Sequence, residues 1–265
     1  MKVLFLHICY QIRMKFNIIN IDKVVSTNSY AQQLLESGDL HDGDVISTRF
    51  QESGRGQGNN FWESEPDSNL LISIILEPHM ISASQQFVLT QLVSFAIADI
   101  VKEFVPQDSE LLKAKIKWPN DIYIGNKKVA GVLFQNFIKG NKIEYSIVGI
   151  GINVNQKKFY SEAPNPVSII NYTNEQIDLD ELLNKLLEKV GKNYEEYRIE
   201  KNFPILKSMY INDLYRFNSW ATYSDKRNEF RGKIIDIDDF GRLLIESQNG
   251  EVKTFMFKEV EFLDF

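Results

Sequence analysis

The stretch LLISIIL, residues 70–76, is apolar at every position except Ser73, is rich in isoleucine, and is bounded by Asn69 and Pro78. A strand with one face in water alternates apolar and polar residues, so an unbroken run predicts a strand covered on both faces, at the centre of a sheet. The chain must then supply neighbouring strands and two covering layers. FNIINI reads as a first strand. A short helix over 28–37 follows, with Ser26 and Thr27 as candidate caps and Gly38 as its stop. VISTRF, residues 45–50, is the next strand. From Ser84 to Phe104 apolar residues recur at helical spacing over five turns, which predicts the strongest helix of the chain. AKIKW, KVAGVLFQNFI and KIEYSIVGIGINV extend the sheet, the last two joined as a hairpin through Lys139, Gly140 and Asn141. KIEYSIV is read as an edge strand, where two copies of the chain could meet. A second amphipathic helix runs from Leu179 to about Arg198. From Ser219 the pattern changes to the short strands WATYS, EFRGKIIDID, RLLIES and VKTFMF, expected as a small barrel packed on the main domain. The expected architecture is α+β: a mixed-sheet domain over 14–217 and a small β domain over 218–265.

Charge and cysteine usage narrow the function classes. With 36 acids against 30 bases the formal net charge is -6, so the chain lacks the basic field of a non-specific nucleic-acid binder, and DNA is not an expected partner. One cysteine, Cys9, cannot form an internal disulfide; it reads as a small buried hydrophobe and fits a reducing, cytoplasmic setting. The N-terminal apolar run is too short for a secretion signal, and without an apolar run of ~18 residues no membrane span is expected. MKFNIINI from Met14 reads as a natural start, so residues 1–13 are expected to be an extension from an upstream start codon.

Four stretches join special backbone residues to polar ones. Ser26, Thr27 and Asn28 open the first helix. In FQESGRGQGNNFW, Gly54, Gly56 and Gly58 alternate around Arg55 and Gln57; backbone N–H groups in such a frame can cradle an anion, and arginine adds a planar cation suited to carboxylate or phosphate. A mobile surface loop accounts for the glycines equally well. No GxxxxGK[ST] loop is present, and the dinucleotide GxGxxG pattern fails at Asn59. In KWPNDI, Pro119 fixes its own φ and extends Trp118, so Lys117, Asn120 and Asp121 are held where a strand ends. A plain turn between two strands accounts for the same residues. In KVAGVL and GIGINVN, Lys128 opens an apolar strand, and Gly131, Gly149 and Gly151 leave space for a ligand or for close packing. Spacing alone does not choose between these readings.

Taken in order, STN, Q-x-x-GRG-x-G-x-x-x-W, KWPND, K-x-AGVL and GIGINVN make the chain resemble the biotin protein ligases, in strength from about residue 24 to 170 and more weakly to the C-terminus. The resemblance implies a mixed-sheet catalytic domain of the biotin/lipoate ligase type with an SH3-like C-terminal domain. It implies an ATP- and Mg2+-dependent enzyme that makes biotinyl-5′-adenylate and transfers biotin to a lysine of a biotin carboxyl carrier domain. Only 25 residues precede STN, so the monofunctional type without a DNA-binding domain is expected. Family members include monomers and homodimers.

Residue by residue, the resemblance gives catalytic roles to Arg55, Lys117, Lys128 and Asp121. It places biotin against Ser26, Thr27, Asn28, Gln51, Gly54, Arg55, Lys128, Gly131, Gly149 and Gly151, and ATP against Arg55, Gln57, Trp62, Asn120 and Asn153. It assigns no metal ligand. Gln57 departs from the family, many of whose members carry a second arginine there, so the loop is expected to rely on backbone N–H groups and Trp62. The same loop is expected to order over the intermediate when ligands bind. A lipoate or octanoate ligase shares the fold; GRGxG and KWPND favour biotin.

Overall fold

The structure, a computed structural model, describes residues 14–263 except 59, 107, 108, 110, 111, 162 and 174. The extension expected over 1–13, Cys9 and Asn59 lie outside them. The chain runs β1 (Asn17–Val24), α1 (Thr27–Ser37), β2 (Asp44–Gln51), a small hairpin of β3 (Gly54–Arg55) and β4 (Phe61–Trp62), then β5 (Asn69–Leu76) and α2 (Phe87–Lys102). Next come β6 (Ala114–Lys117), β7 (Asp121–Ile124), β8 (Lys127–Lys139), β9 (Lys142–Asn153), α3 (Leu179–Glu200) and α4 (Phe203–Asn212). The C-terminal strands are β10 (Trp220–Ser224), β11 (Glu229–Ile237), β12 (Leu243–Ser247), β13 (Val252–Phe255) and β14 (Glu261–Phe262).

LLISIIL lies in β5, buried along its whole length and third in a seven-stranded sheet of order β1-β2-β5-β9-β8-β7-β6. Successive strand residues point to opposite faces, and β5 feeds both. Leu70, Ile72, Ile74 and Leu76 enter the main core with α2 and α3, while Ile75 joins Ala31, Leu40, Ile46 and Ile147 in a smaller core beside α1. β1 and β2 are parallel and the remaining neighbours antiparallel, so the sheet is mixed. Gly140, at φ +64°, makes the tight β8–β9 turn that the sequence predicts.

Several expectations change. KIEYSIV lies in β9: β8 pairs along it, β5 reaches only its residues 146–148, and Lys142 and Ile143 instead meet Ser82 and Ile81, so it is not the outermost strand of the sheet. α2 begins at Phe87 after a 3-10 turn at Ala83–Gln85, and thirteen of its sixteen residues are buried. Ala83–Lys102 is long and apolar enough to cross a membrane by length and composition, yet 61% of that window is buried within the fold. Its hydrophobicity belongs to a core helix. α3 is longer, with Asp178 capping it by accepting from the N–H groups of Asp180 and Glu181. α4, β7 and β14 are elements the sequence pattern did not separate, being ten, four and two residues long. Ser26 occupies the N-cap position of α1 but its side chain makes no capping bond.

The expected barrel is observed as a five-stranded antiparallel sheet of order β13-β12-β11-β10-β14, whose end strands are not hydrogen-bonded to each other. It packs on the main domain as expected. Trp118 Nε1 donates to Gly241 O at 2.8 Å. Gly241 (φ +83°) sits so close to Phe87 that an added Cβ would stand 2.4 Å from the ring.

Candidate active site

Sheet register brings the dispersed sequence motifs together. Lys117 pairs with Asp121, Asp121 with Gly131, Gly131 with Gly151, and Gly151 with Leu71. Directly opposed residues present their side chains on the same face, so two charged groups and two glycines lie in one row. The face is the one that α1 covers at its other end, through Ile147 and Ile75. Beyond α1 the glycines leave a trough. An added Cβ at Gly131 would lie 3.2 Å from both Asp121 Oδ1 and Lys128 Nζ, and one at Gly151 would lie 2.5 Å from the Trp62 indole.

The glycine stretch is a hairpin across this trough. Gly54 pairs with Trp62 and Arg55 with Phe61, and Gly56 N donates to Asn60 O at 2.8 Å. The hairpin delivers the Trp62 indole onto Gly151, with the Lys128 ammonium 5.7 Å from the ring centroid. A cavity of about 790 Å3 lies beneath, lined by Ser26, Thr27, Gln51, Arg55, Lys117 and Lys128 among others. A second space of about 530 Å3 shares Trp62, Lys117, Asp121 and Lys128 with it and reaches Asn153. Trp62 is thus the partition between two compartments, and its Nε1 is buried without a hydrogen-bond partner.

Three cations converge here. Lys128 Nζ pairs with Asp121 Oδ1 at 2.7 Å, both side chains about one quarter exposed. Lys117 Nζ donates to Tyr123 OH at 3.2 Å and lies 4.9 and 5.2 Å from the Tyr123 and Phe262 ring centroids. Burial pushes its ammonium down to about 8; Asp121 opposes that shift, and Lys128 and Arg216 add to it. Burial also raises the Tyr123 phenol, so it stays protonated. Arg55 is exposed at the cavity and has no ion-pair partner among the described residues.

Of the residues expected to bind ligand, Ser26, Thr27, Asn28, Gln51, Arg55, Gln57, Trp62, Lys117, Asn120, Asp121, Lys128, Gly131, Gly149 and Gly151 line the larger cavity, and Asn153 the smaller. Gly54 lines neither; a Cβ there would meet Trp62 O at 2.5 Å, so it serves the hairpin's closeness. Gly149 and Gly151 do not simply leave room for a ligand, because Asn28 and Trp62 occupy the space beside them. Asn28 is consumed within the protein: its Oδ1 accepts from Ser73 Oγ at 2.6 Å and its Nδ2 donates to Gln135 Oε1 at 3.2 Å. Gln51 Oε1 likewise accepts from Thr27 N and Oγ1, and Asn120 Nδ2 donates to Val132 O, tying the KWPN turn to β8. Asn153 keeps a buried Oδ1 without a partner, facing the smaller compartment. Sequence reasoning missed the C-terminal contributors Lys226, Phe257, Lys258, Glu261 and Phe262. Alternation within short strands carries no sign of which end meets another domain.

Comparison with known proteins agrees with this geometry. Residues 21–153 match the biotin/lipoate A/B protein ligase family, and residues 224–263 match the biotin protein ligase C-terminal domain. The bifunctional ligase/repressor BirA of Bacillus spizizenii is 28% identical over 90% of this chain and 72% of its own length. The biotin–[acetyl-CoA-carboxylase] ligase of Paracoccus denitrificans is 26% identical over 85% of this chain and 92% of its own. The biotin protein ligase of Aquifex aeolicus, solved with biotin and ATP, superposes with a TM-score of 0.73 at 27% identity, covering 92% of this chain and 97% of that one. The sheet, the charged row and both matched regions lead to one conclusion: the chain belongs to the biotin/lipoate A/B protein ligase family.

Proposed function

We propose that the protein is a biotin protein ligase that joins biotin to ATP as biotinyl-5′-adenylate, releasing pyrophosphate, and then passes the biotinyl group to a lysine of a biotin carboxyl carrier domain, releasing AMP. The observation that carries this reading is the row Lys117–Asp121–Gly131–Gly151, overlaid by Lys128 and Trp62, in a cavity that Arg55 also enters. The C-terminal domain match favours biotin over lipoate.

In the first step a carboxylate oxygen attacks the α-phosphorus of ATP and pyrophosphate leaves. Two like charges ~4 Å apart repel by about 4 kcal/mol at an effective dielectric of 20, so the site must supply positive charge before the groups meet. Arg55, Lys117 and Lys128 supply it, acting on charge rather than as nucleophiles. Asp121 holds Lys128 over Gly131 and so orients its ammonium toward the reacting oxygens. Ser26, which makes no cap bond, and the Nε2 of Gln51, whose Oε1 Thr27 already holds, meet the ureido end. Trp62 and Asn153 line the nucleotide side, where the indole N–H and the Asn153 Oδ1 await partners. Gln57 contributes no charge. In the second step a neutral lysine amine attacks the mixed anhydride and AMP departs. The hairpin keeps water from the anhydride until then.

Among the described residues no group of three or more His, Cys, Asp or Glu could hold a metal ion, and Mg2+ is proposed only as the usual partner of ATP. The division at 217/218 separates the catalytic sheet from the C-terminal one. The match over 92% of the Paracoccus ligase supports the ligase reading, and the single cysteine of the chain fits a cytoplasmic setting. Incubation with biotin, MgATP and a carrier domain tests the reading: a mass gain of one biotinyl group on the carrier is expected, and its absence, together with absent biotin-dependent ATP–pyrophosphate exchange, would refute it.

A further inference from the structure

Residues 156–161 run on from β9 as irregular chain and bring Phe159 and Ser161 into the lining of the smaller compartment, as its outer wall. Lys157, Lys158 and Tyr160 face solvent there, so side-chain burial does little to fix the wall. One carboxylate does more. Glu63, the residue after Trp62, accepts from Tyr160 N at 2.9 Å, from Ser161 N at 2.8 Å and from Gln156 Nε2 at 3.4 Å. Gln156 is fully buried, and its amide uses every hydrogen-bonding position: Nε2 also donates to Lys158 O at 2.8 Å, while Oε1 accepts from Glu65 N at 3.1 Å and from Asn69 Nδ2. Asn69 stands opposite Asn153 in the sheet, and its Oδ1 accepts from Val154 N at 3.0 Å. Burial alone would raise the Glu63 carboxyl, yet hydrogen bonds from Ser161, Tyr160 and Gln156 hold it below the usual range, so the ionised form is the one that gathers these donors.

We propose that Glu63 is a positioning residue for the smaller compartment: with Gln156 it ties residues 156–161 to the exit of β4, so that the wall stands beside Trp62 before any ligand binds. That this compartment takes the nucleotide rests on the ligase reading above; the tie itself does not. Glu63 touches no reacting atom and acts through the backbone it holds. A wall fixed in advance spares the nucleotide the entropy cost of ordering it. The gain falls on one side of Trp62, where the wall lies, and not on the larger cavity, whose lining includes neither Glu63 nor residues 156–161.

Two measurements on the full chain test this. Trypsin cleavage after Lys157 and Lys158, followed by mass spectrometry without ligands, reads the open population of the wall. Glu63→Ala is expected to be cut about 10-fold faster than the native chain, the range for losing hydrogen bonds to a charged acceptor. Glu63→Gln, which keeps the shape and one acceptor oxygen, is expected to fall between the two. In biotin-dependent ATP–pyrophosphate exchange, Glu63→Ala is expected to raise KM for ATP about 10-fold while KM for biotin stays near the native value. Saturating MgATP is expected to slow cleavage of the variant toward the native rate. A merely structural role would move both KM values together. Cleavage of Glu63→Ala at the native rate, or an equal rise in the two KM values, overturns the assignment while exchange by the native chain upholds the ligase reading. Absent exchange in the native chain refutes the ligase reading and, with it, the assignment of this wall to a nucleotide.

Discussion

Lys117 is where a single side chain exposes the working of the site. The proposed ligase chemistry uses its ammonium, pushed down to about 8 by burial, in the charged form, so kcat/KM for biotin in pyrophosphate exchange is expected to fall as pH rises through about 8. Lys117→Arg, which stays charged at all accessible pH, should remove that limb. The same shift has a consequence for stability. Between about 8 and the ordinary lysine value of 10.5 the unfolded chain binds the proton that the folded one has lost, so the Lys117 contribution becomes more favourable as pH rises across that window. Denaturant titrations at pH 7.5 and 10 on the native chain and Lys117→Met would show the difference. Asp121→Asn should loosen the 2.7 Å pair with Lys128 and slow adenylate formation by about 10-fold or more, with transfer from preformed adenylate measured separately. Lys117, Asp121 and Lys128 were legible in the sequence as motif residues, but not their partners. Tyr123 and Phe262, which frame the Lys117 ammonium, carry no pattern of their own.

At the scale of elements, the glycines of β8 and β9 matter through what fills their space. Gly151→Ala is expected to displace the Trp62 indole, which would stand 2.5 Å from the new methyl, with a red-shifted tryptophan emission and a raised KM for ATP. Gly149→Ala places its Cβ 2.0 Å from Asn28 Oδ1 and breaks into a buried hydrogen-bonded group; a loss of ~1–3 kcal/mol by urea denaturation is expected. The sequence announced small residues on these strands but left ligand space and close packing unresolved. Packing prevails at both positions, because α1 and the β3–β4 hairpin bring Asn28 and Trp62 onto the sheet from distant parts of the chain. β9 shows the same limit: KIEYSIV has the composition of any strand, and its place beside β8, with only residues 146–148 also on β5, comes from sheet pairing.

For the whole molecule, the C-terminal sheet helps to line the larger cavity, through Lys226, Phe257, Lys258, Glu261 and Phe262. It holds the KWPN turn through Trp118 Nε1 and Gly241 O, presents Phe262 to Lys117, and carries Lys258 to the hairpin tip. Gly241→Ala, forced at φ +83° against Phe87, is expected to cost ~1–3 kcal/mol and to lower pyrophosphate exchange even though residue 241 lies outside the catalytic sheet. Thermal unfolding in a single transition for the native chain and a broadened or split one for the variant would check it. What the sequence determined by itself was local: a doubly buried strand, helices by period, turns by glycine, and the ordered motifs that mark the family. These follow from backbone conformation and from side-chain alternation, which act over a few residues. Tertiary structure alone decided the row of Lys117, Asp121, Gly131 and Gly151, the seating of Trp62, and the reach of a second domain into the cavity. Strand register and domain packing are settled by burial summed over the whole core, and no segment records that sum in its own residues.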